Sequence, residues 1–297
     1  MRPGTVSVFA PAKINLFLHV GERRDDGYHA LESLVVFAEA GDRLTISPAE
    51  DISLALAGRF AASLADEPDN LVLTAARALA LSASAGARIT LEKNLPVASG
   101  IGGGSADAAA ALRGLNAYWG LERSEADLLG LAASLGSDVP ACLLSRPCWM
   151  EGRGERVTPL EPLPSFPLIL VNPGIAVPTG PVFAELNLRT GIGAMHPPGK
   201  IETVWDLVAY LAHAENDLEA PACRIAPVID DVVLALDREP GCVLAQMSGS
   251  GATCFGLFEQ EQFALGAAER IAEDHPDWWV RLTRIAGPDI GRIAKSE

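Results

Sequence analysis

Leu95-Pro96-Val97-Ala98-Ser99-Gly100-Ile101-Gly102-Gly103-Gly104-Ser105-Ala106-Asp107-Ala108-Ala109 is a glycine loop that runs straight into an alanine-rich helix. Gly100, Gly102, Gly103 and Gly104 leave the main chain without side-chain cover. Ser105 is placed to cap the helix, whose first amides carry the positive end of its dipole. Bare amides at a helix N-terminus make an anion site, most simply for phosphate. A tight turn is the other reading of the same residues. Two common phosphate motifs are excluded. A P-loop needs Lys after its last glycine, where this chain has Ser105, and Gly100-Ile101-Gly102-Gly103-Gly104 lacks the Gly-x-Gly-x-x-Gly spacing of a dinucleotide fold. A dinucleotide-dependent oxidoreductase therefore fails on spacing.

The rest of the chain is that of a folded protein. Its 297 residues, 49% of them hydrophobic, suffice for a sizeable core in one large domain or two ordinary ones. A net charge of -15 argues against a nucleic-acid surface, which needs clustered Lys and Arg. Five cysteines with no Cys-x-x-Cys pair suggest neither a disulfide framework nor a zinc site, which fits a reducing cytoplasm. His19, His196, His213 and His275 show no metal-ligand spacing. Lys13 and Asn15 interrupt the first apolar run, so neither a signal peptide nor a membrane span of ~20 residues is expected.

Upstream of the loop, 6–10 and 14–20 read as strands parted by a break at Pro11, with Lys13, Asn15, Phe17 and His19 on one face. Further strands are expected at 31–38, 43–47 and 88–92, and a helix over 70–82. Downstream, the loop's own helix reaches about Trp119. Ser124 and Asp127 form a capping box for a helix ending at Gly136, and Asp138 stands at the start of another, with Pro140 in its first turn. Four prolines in 159–167 read as a linker, dividing the chain into 1–160 and 161–297. Beyond it, strands at 168–171, 242–247, 253–258 and 278–285 alternate with helices at 204–213, 227–237 and 260–274, an α+β pattern with an antiparallel sheet.

Three motifs now stand in order: Pro11-Ala12-Lys13-Ile14-Asn15-Leu16, the loop from Gly100 to Asp107, and Ser248-Gly249-Ser250-Gly251-Ala252. Together they resemble the GHMP kinase superfamily over essentially the whole chain. The resemblance implies an α+β, two-domain GHMP kinase fold, with an N-terminal ribosomal-protein-S5-like α/β domain carrying the glycine loop and a C-terminal ferredoxin-like α+β domain. Asp26-Gly27-Tyr28-His29-Ala30-Leu31-Glu32-Ser33, Ser137-Asp138-Val139-Pro140, Val177-Pro178-Thr179 with Phe183, and Glu215-Asn216-Asp217-Leu218-Glu219 narrow it. They are similar to the branch that uses ATP to phosphorylate a hydroxyl of a cytidine diphosphate sugar alcohol, in the non-mevalonate route to isoprenoid precursors.

On that resemblance, Pro96, Val97, Ala98, Ser99, Gly100, Ile101, Gly102, Gly103, Gly104, Ser105 and Ala106 hold ATP with Mg2+. Asp138 is the general base and Lys13 its partner. Asn15 contacts substrate, Tyr28 and Phe183 sandwich the cytosine, His29 reads its edge, and Thr179 brings a hydroxyl near. Gly249, Ser250 and Gly251 approach the phosphates or shape the cleft between domains. Metal ligands are not assigned by it, and a monomer or homodimer is implied, with no nucleic acid or membrane as partner. By residue type alone, Lys13 reads as an edge lysine that snorkels, Asp138 as a helix cap, Thr179 as a turn cap and the third motif as a strand connection. Ala98, Ser99 and Ala106 depart from the pattern, standing where relatives often carry glycine or a second serine. Asp107 reads either as a carboxylate reaching Mg2+ through water or as one stabilising its helix's amino end. Homoserine- or mevalonate-type kinases would share the loop but have no base to stack, and a non-catalytic nucleotide sensor would not require both Lys13 and Asp138.

Overall fold

The computed structural model describes residues 4–65, 70–80, 86–186, 192–193, 195–291 and 293–295. The expected helix over 70–82 is seen as α1, Leu71–Ala80, and its last two positions lie outside the described residues.

The first sheet is built from β1 (Val6–Asn15), β2 (His19–Arg23), β3 (His29–Ser47), β4 (Ile52–Ala57), β5 (Ala87–Glu92), β6 (Cys148–Gly152) and β7 (Arg156–Pro159). The expected strands at 31–38 and 43–47 are one long strand, β3, which pairs with β1, β2, β5 and β6. Likewise the Pro11 break is absent. β1 runs through the proline with a register shift between Pro11 and Lys13.

That shift sets up the site. Val8 and Ala10, before it, pack with the helices, whereas Ile14, after it, packs in the core shared with the second sheet. Across the shift the pairing moves from Pro11 with Gly41 to Lys13 with Phe37, leaving two extra residues on β3, and the faces of β1 turn over. Lys13 and Asn15 therefore come round to the helix side, where the glycine loop lies.

Against that face pack α1, α2 (Gly103–Tyr118) and α4 (Val139–Leu144), with α3 (Glu125–Leu135) packed on these helices. Buried Ala106, Ala108, Ala109, Ala110 and Ala111 let α2 lie close to both the sheet and its neighbouring helices. α3 carries the expected capping box of Ser124 and Asp127.

The second sheet is antiparallel, in the order β11 (Trp279–Arg284), β8 (Pro167–Asn172), β10 (Cys254–Phe258), β9 (Cys242–Met247). With it go α5 (Thr179–Ala184), α6 (Val204–Leu211), α7 (Glu219–Ile225), α8 (Val228–Asp237) and α9 (Glu261–Asp274). Leu168, Leu170, Phe255 and Leu257 on this sheet meet Ile14, Leu34 and Val36 on the first. The chain then returns, and β12 (Ile293–Lys295) pairs with β1.

Candidate active site

β1 and the glycine loop are joined through the backbone: the Lys13 amide donates to the Ile101 carbonyl at 3.0 Å. The helix begins earlier than expected, which corrects the role of Ser105. Gly102, left-handed at φ 61°, is the capping residue and no side chain caps it, while Ser105 lies in the first turn. Ala106 is the first residue whose amide bonds back, to the Gly102 carbonyl at 2.8 Å. Gly103, Gly104 and Ser105, whose amides precede the helical ladder, line the cleft. A Cβ on Gly102 would meet the Lys13 Cβ at 3.2 Å, so glycine serves both the φ and the passage of the lysine stem.

Asp138 precedes α4, yet its side chain makes no capping hydrogen bond. Its Oδ1 instead lies 2.8 Å from Lys13 Nζ, the lysine 4% exposed and the carboxylate 36%. α4 is tied to α2 by Arg113, which donates to the carbonyls of Cys142 and Leu143. Burial lowers the pKa of Arg113 to about 10, so it stays charged at neutral pH.

The third motif packs on the glycine loop. Ser248 Oγ donates to the Gly100 carbonyl at 3.2 Å and accepts the Asn15 amide at 3.1 Å, and the Thr253 amide donates to the Ser99 carbonyl at 3.1 Å. A side chain at Gly249 would collide with the Gly100 carbonyl. Asn216 holds the turn from behind, donating to the carbonyls of Met247 and Gly249 at 2.8 Å each. Ser250 Oγ lies 3.0 Å from Thr179 Oγ1.

These groups line one cleft of about 600 Å³. Lys13, Asn15 and Asp138 lie on it with Ala98, Ser99, Gly100, Gly102, Gly103, Gly104, Ser105, Gly249 and Ser250. Tyr28, His29, Thr179 and Phe183 line it too. Asn15 donates through Nδ2 to Ser33 Oγ at 2.8 Å, while its Oδ1 has no partner among the described residues. Phe183 stacks on His29, ring centroids 5.5 Å apart, and His29 Nδ1 bonds the Gly21 carbonyl at 3.0 Å. A carbonyl only accepts, so that nitrogen carries the hydrogen and Nε2 keeps its lone pair in the neutral ring. Tyr28 is 51% exposed, with the Arg153 guanidinium 5.2 Å from its ring centroid.

Pro96, Val97, Ile101, Ala106 and Gly251 do not line the cleft. Ile101 and Ala106 are core residues, Val97 packs beside the core, the Pro96 carbonyl accepts from Ser99 Oγ, and the Gly251 amide donates to the Ser248 carbonyl. Pro96, Val97, Ile101 and Ala106 therefore serve the structure of the loop, and the runs 98–100 and 102–105 face the cleft.

Sequence reasoning missed Ser137 and Arg153, both in the cleft. It also missed Lys93, which reads in Glu92-Lys93-Asn94 as an ordinary charged turn but is 1% exposed. Asp107 is corrected by the same observation. Its carboxylate turns inward to Lys93 Nζ at 2.7 Å and is not a cleft group.

Comparison with known proteins adds a second line of support. Residues 70–146 match the family model of the GHMP kinases N terminal domain and residues 203–277 that of the GHMP kinases C terminal. A 4-diphosphocytidyl-2-C-methyl-D-erythritol kinase of Parvibaculum lavamentivorans is 52% identical over 96% of this chain and 99% of its own. The chain belongs to the 4-diphosphocytidyl-2-C-methyl-D-erythritol kinase family. It is thus a GHMP kinase, a phosphotransferase with an alcohol acceptor and ATP as donor. The kinase of the same name from Cereibacter sphaeroides is 53% identical over 94% of this chain and 99% of its own. A crystal structure titled 4-(cytidine 5'-diphospho)-2C-methyl-D-erythritol kinase is 35% identical and superposes with a TM-score of 0.75 over 95% of this kinase and 100% of that chain. The homoserine kinase of Cytophaga hutchinsonii, 18% identical with a TM-score of 0.69 over 99% of this chain and 98% of its own, shares the fold. No helix among the described residues is long and apolar enough to cross a membrane.

Proposed function

We propose that this kinase transfers the γ-phosphoryl group of ATP to the 2-hydroxyl of 4-diphosphocytidyl-2-C-methyl-D-erythritol, in the non-mevalonate route to isoprenoid precursors. The observation that carries the reading is the Lys13–Asp138 pair, at 2.8 Å, on the same cleft as the bare amides of Gly103, Gly104 and Ser105. Phosphoryl transfer requires a fixed, charge-neutralised triphosphate and an acceptor oxygen in line with the γ-phosphorus. The amides bind the phosphates. Asp138 accepts the hydroxyl proton as the acceptor oxygen bonds to phosphorus and ADP leaves, while Lys13 fixes the carboxylate's direction.

Asn15 Oδ1, unpartnered beside Lys13, receives a substrate hydroxyl. Tyr28 and Phe183 stack the cytosine from two sides, with Phe183 leaving its contact with His29 to do so. His29 reads the base edge and Thr179 stands at the acceptor with Ser250. Arg153 faces the negative diphosphate or the base from above Tyr28. Asp138 is the sole carboxylate among the cleft's lining residues, and among the described residues no cluster of ligating side chains exists. That donor set suits Mg2+ carried in largely by the phosphates and water, where it supplies charge neutralisation. Division near residue 160 would put the phosphate amides on one domain and Thr179 and Phe183 on the other.

The test is direct: purified protein, MgATP and a panel of acceptor alcohols, with products identified by mass spectrometry. Phosphorylation of the cytidine diphosphate alcohol alone is expected. Preferential turnover of homoserine or mevalonate would replace the reading.

A further inference from the structure

Beneath the glycine loop, on the side away from the cleft, lies a cluster that the mechanism does not use. Lys93, Asp42 and Asp107 are almost wholly buried, with side-chain exposures of 2%, 0% and 3%. Lys93 Nζ reaches one oxygen of each carboxylate, 2.5 Å to Asp42 and 2.7 Å to Asp107. Asp42 comes from β3, Lys93 follows β5, and Asp107 lies in the second turn of α2.

The two carboxylates are not equivalent. Asp42 Oδ1 accepts the backbone amides of Asn94 and Leu95, at 2.5 and 2.8 Å, so both of its oxygens are satisfied. Among the described residues Asp107 has Lys93 on Oδ2 alone, and its buried Oδ1 has no partner. One ammonium cannot neutralise two buried carboxylates, and an uncompensated buried charge is costly. The cluster also touches the phosphate amides. A Cβ on Gly103 would stand 3.0 Å from Lys93 Nζ and 3.9 Å from Asp42 Oδ2.

We propose that Lys93, Asp42 and Asp107 form a positioning triad for the phosphate-binding amides, in which the two carboxylates share one proton held by Asp107. This rests on the glycine loop being the phosphate site. In the protonated form the triad is neutral and Asp42 clamps the chain entering the loop. Loss of the proton puts a net negative charge under the amides that receive the triphosphate. Burial and the neighbouring Asp42 both favour the neutral acid, against the pull of Lys93, and together they raise Asp107 to about 7. Lys93 and Asp42 are the charged groups acting on it, since Lys13, the nearest charge on β1, is turned to Asp138. A bound triphosphate favours the acid further, so nucleotide binding takes up a proton.

The experiment is calorimetric titration of the wild-type kinase and the Asp107→Asn variant with ADP at saturating magnesium, which keeps the nucleotide's own phosphates ionised, from about pH 6 to about pH 8.5. Wild-type affinity is expected to fall roughly tenfold across this range, since linkage to a single proton released at about 7 limits the fall to about one decade per pH unit above that point. Asp107→Asn, a neutral isostere, is expected to bind at a pH-independent affinity. Wild-type titrations in buffers of different ionisation enthalpy should show net proton uptake near neutral pH, and Asp138→Asn should keep it. Equal pH slopes in wild type and Asp107→Asn overturn the triad, as does zero proton uptake by the wild type, which is decisive even where the variant fails to fold. Failure of the loop reading looks different. Gly104→Val would then leave ADP affinity intact, whereas loss of binding there with flat wild-type pH dependence removes the triad alone.

Discussion

Two lysines flank one turn of glycine, and they do opposite things. Lys13 reaches from the strand bulge into the cleft and pairs with a carboxylate that is a third exposed; Lys93 lies under the turn, sealed between two carboxylates with almost no exposure. An ion pair at a water-filled cleft keeps a lone pair free for a proton and contributes little to stability. A sealed pair is the reverse. Water is kept from it, breaking it is costly, and its chemistry is confined to where the one proton sits. The difference shows how one short loop combines an upper face open to the cleft with a sealed lower one.

The sharpest way to break this contrast is at Asp138. Asp138→Asn should lower turnover by about 10²–10⁴, the range of general-base catalysis, while calorimetric nucleotide affinity and the unfolding midpoint hold. Turnover near wild type would take the base role away from it. On the lower face the loss should appear in stability. Lys93→Met strands the buried Asp42 carboxylate beside Asp107 and should cost roughly 3–5 kcal/mol in urea unfolding, against about 1 kcal/mol or less for Lys13→Met. Equal costs would erase the distinction.

Substrate binding gives a middle-sized effect. Phe183→Ala should weaken the cytidine substrate by roughly 1–3 kcal/mol, the scale of base stacking, with ADP affinity unmoved. A loss shared by both ligands would point to a collapsed cleft.

The pH dependence of stability sharpens the lower face. Because Asp107 is raised in the folded state, its contribution is complete below the ordinary carboxylate range and is lost as pH climbs through about 7. The stability of Asp107→Asn relative to wild type should therefore improve between about pH 5 and about pH 8, measured by urea unfolding at each pH. The smallest effect belongs to Ala98, a non-glycine residue at φ 50°. Its left-handed strain, less the entropy of a new glycine, makes Ala98→Gly stabilising by about 0.5–1 kcal/mol.

Much of this was readable from residue order. The capping box at Ser124, the alanine helix and the glycine motifs are local patterns, and local patterns survive folding. Ser105 reads as the cap, yet glycine tolerates left-handed φ and Gly102 starts the helix earlier. Pro11 reads as a break because an irregular pairing depends on the partner strand, here β3 with Gly41 against Pro11. Lys93 and Asp42 are 51 positions apart, and neither carries a periodic signal. Arg153 follows a strand with nothing in its neighbours to mark it.

The sequence by itself determined which groups could meet phosphate, proton and base, since glycine, lysine, aspartate and the aromatics each bring a fixed chemistry and the motif order constrains where they fall. Only the tertiary structure decided which lysine faces the cleft and which is sealed beneath it. The irregular pairing of β1 with β3 turns a strand's faces over, and burial depends on what the far ends of the chain bring into contact.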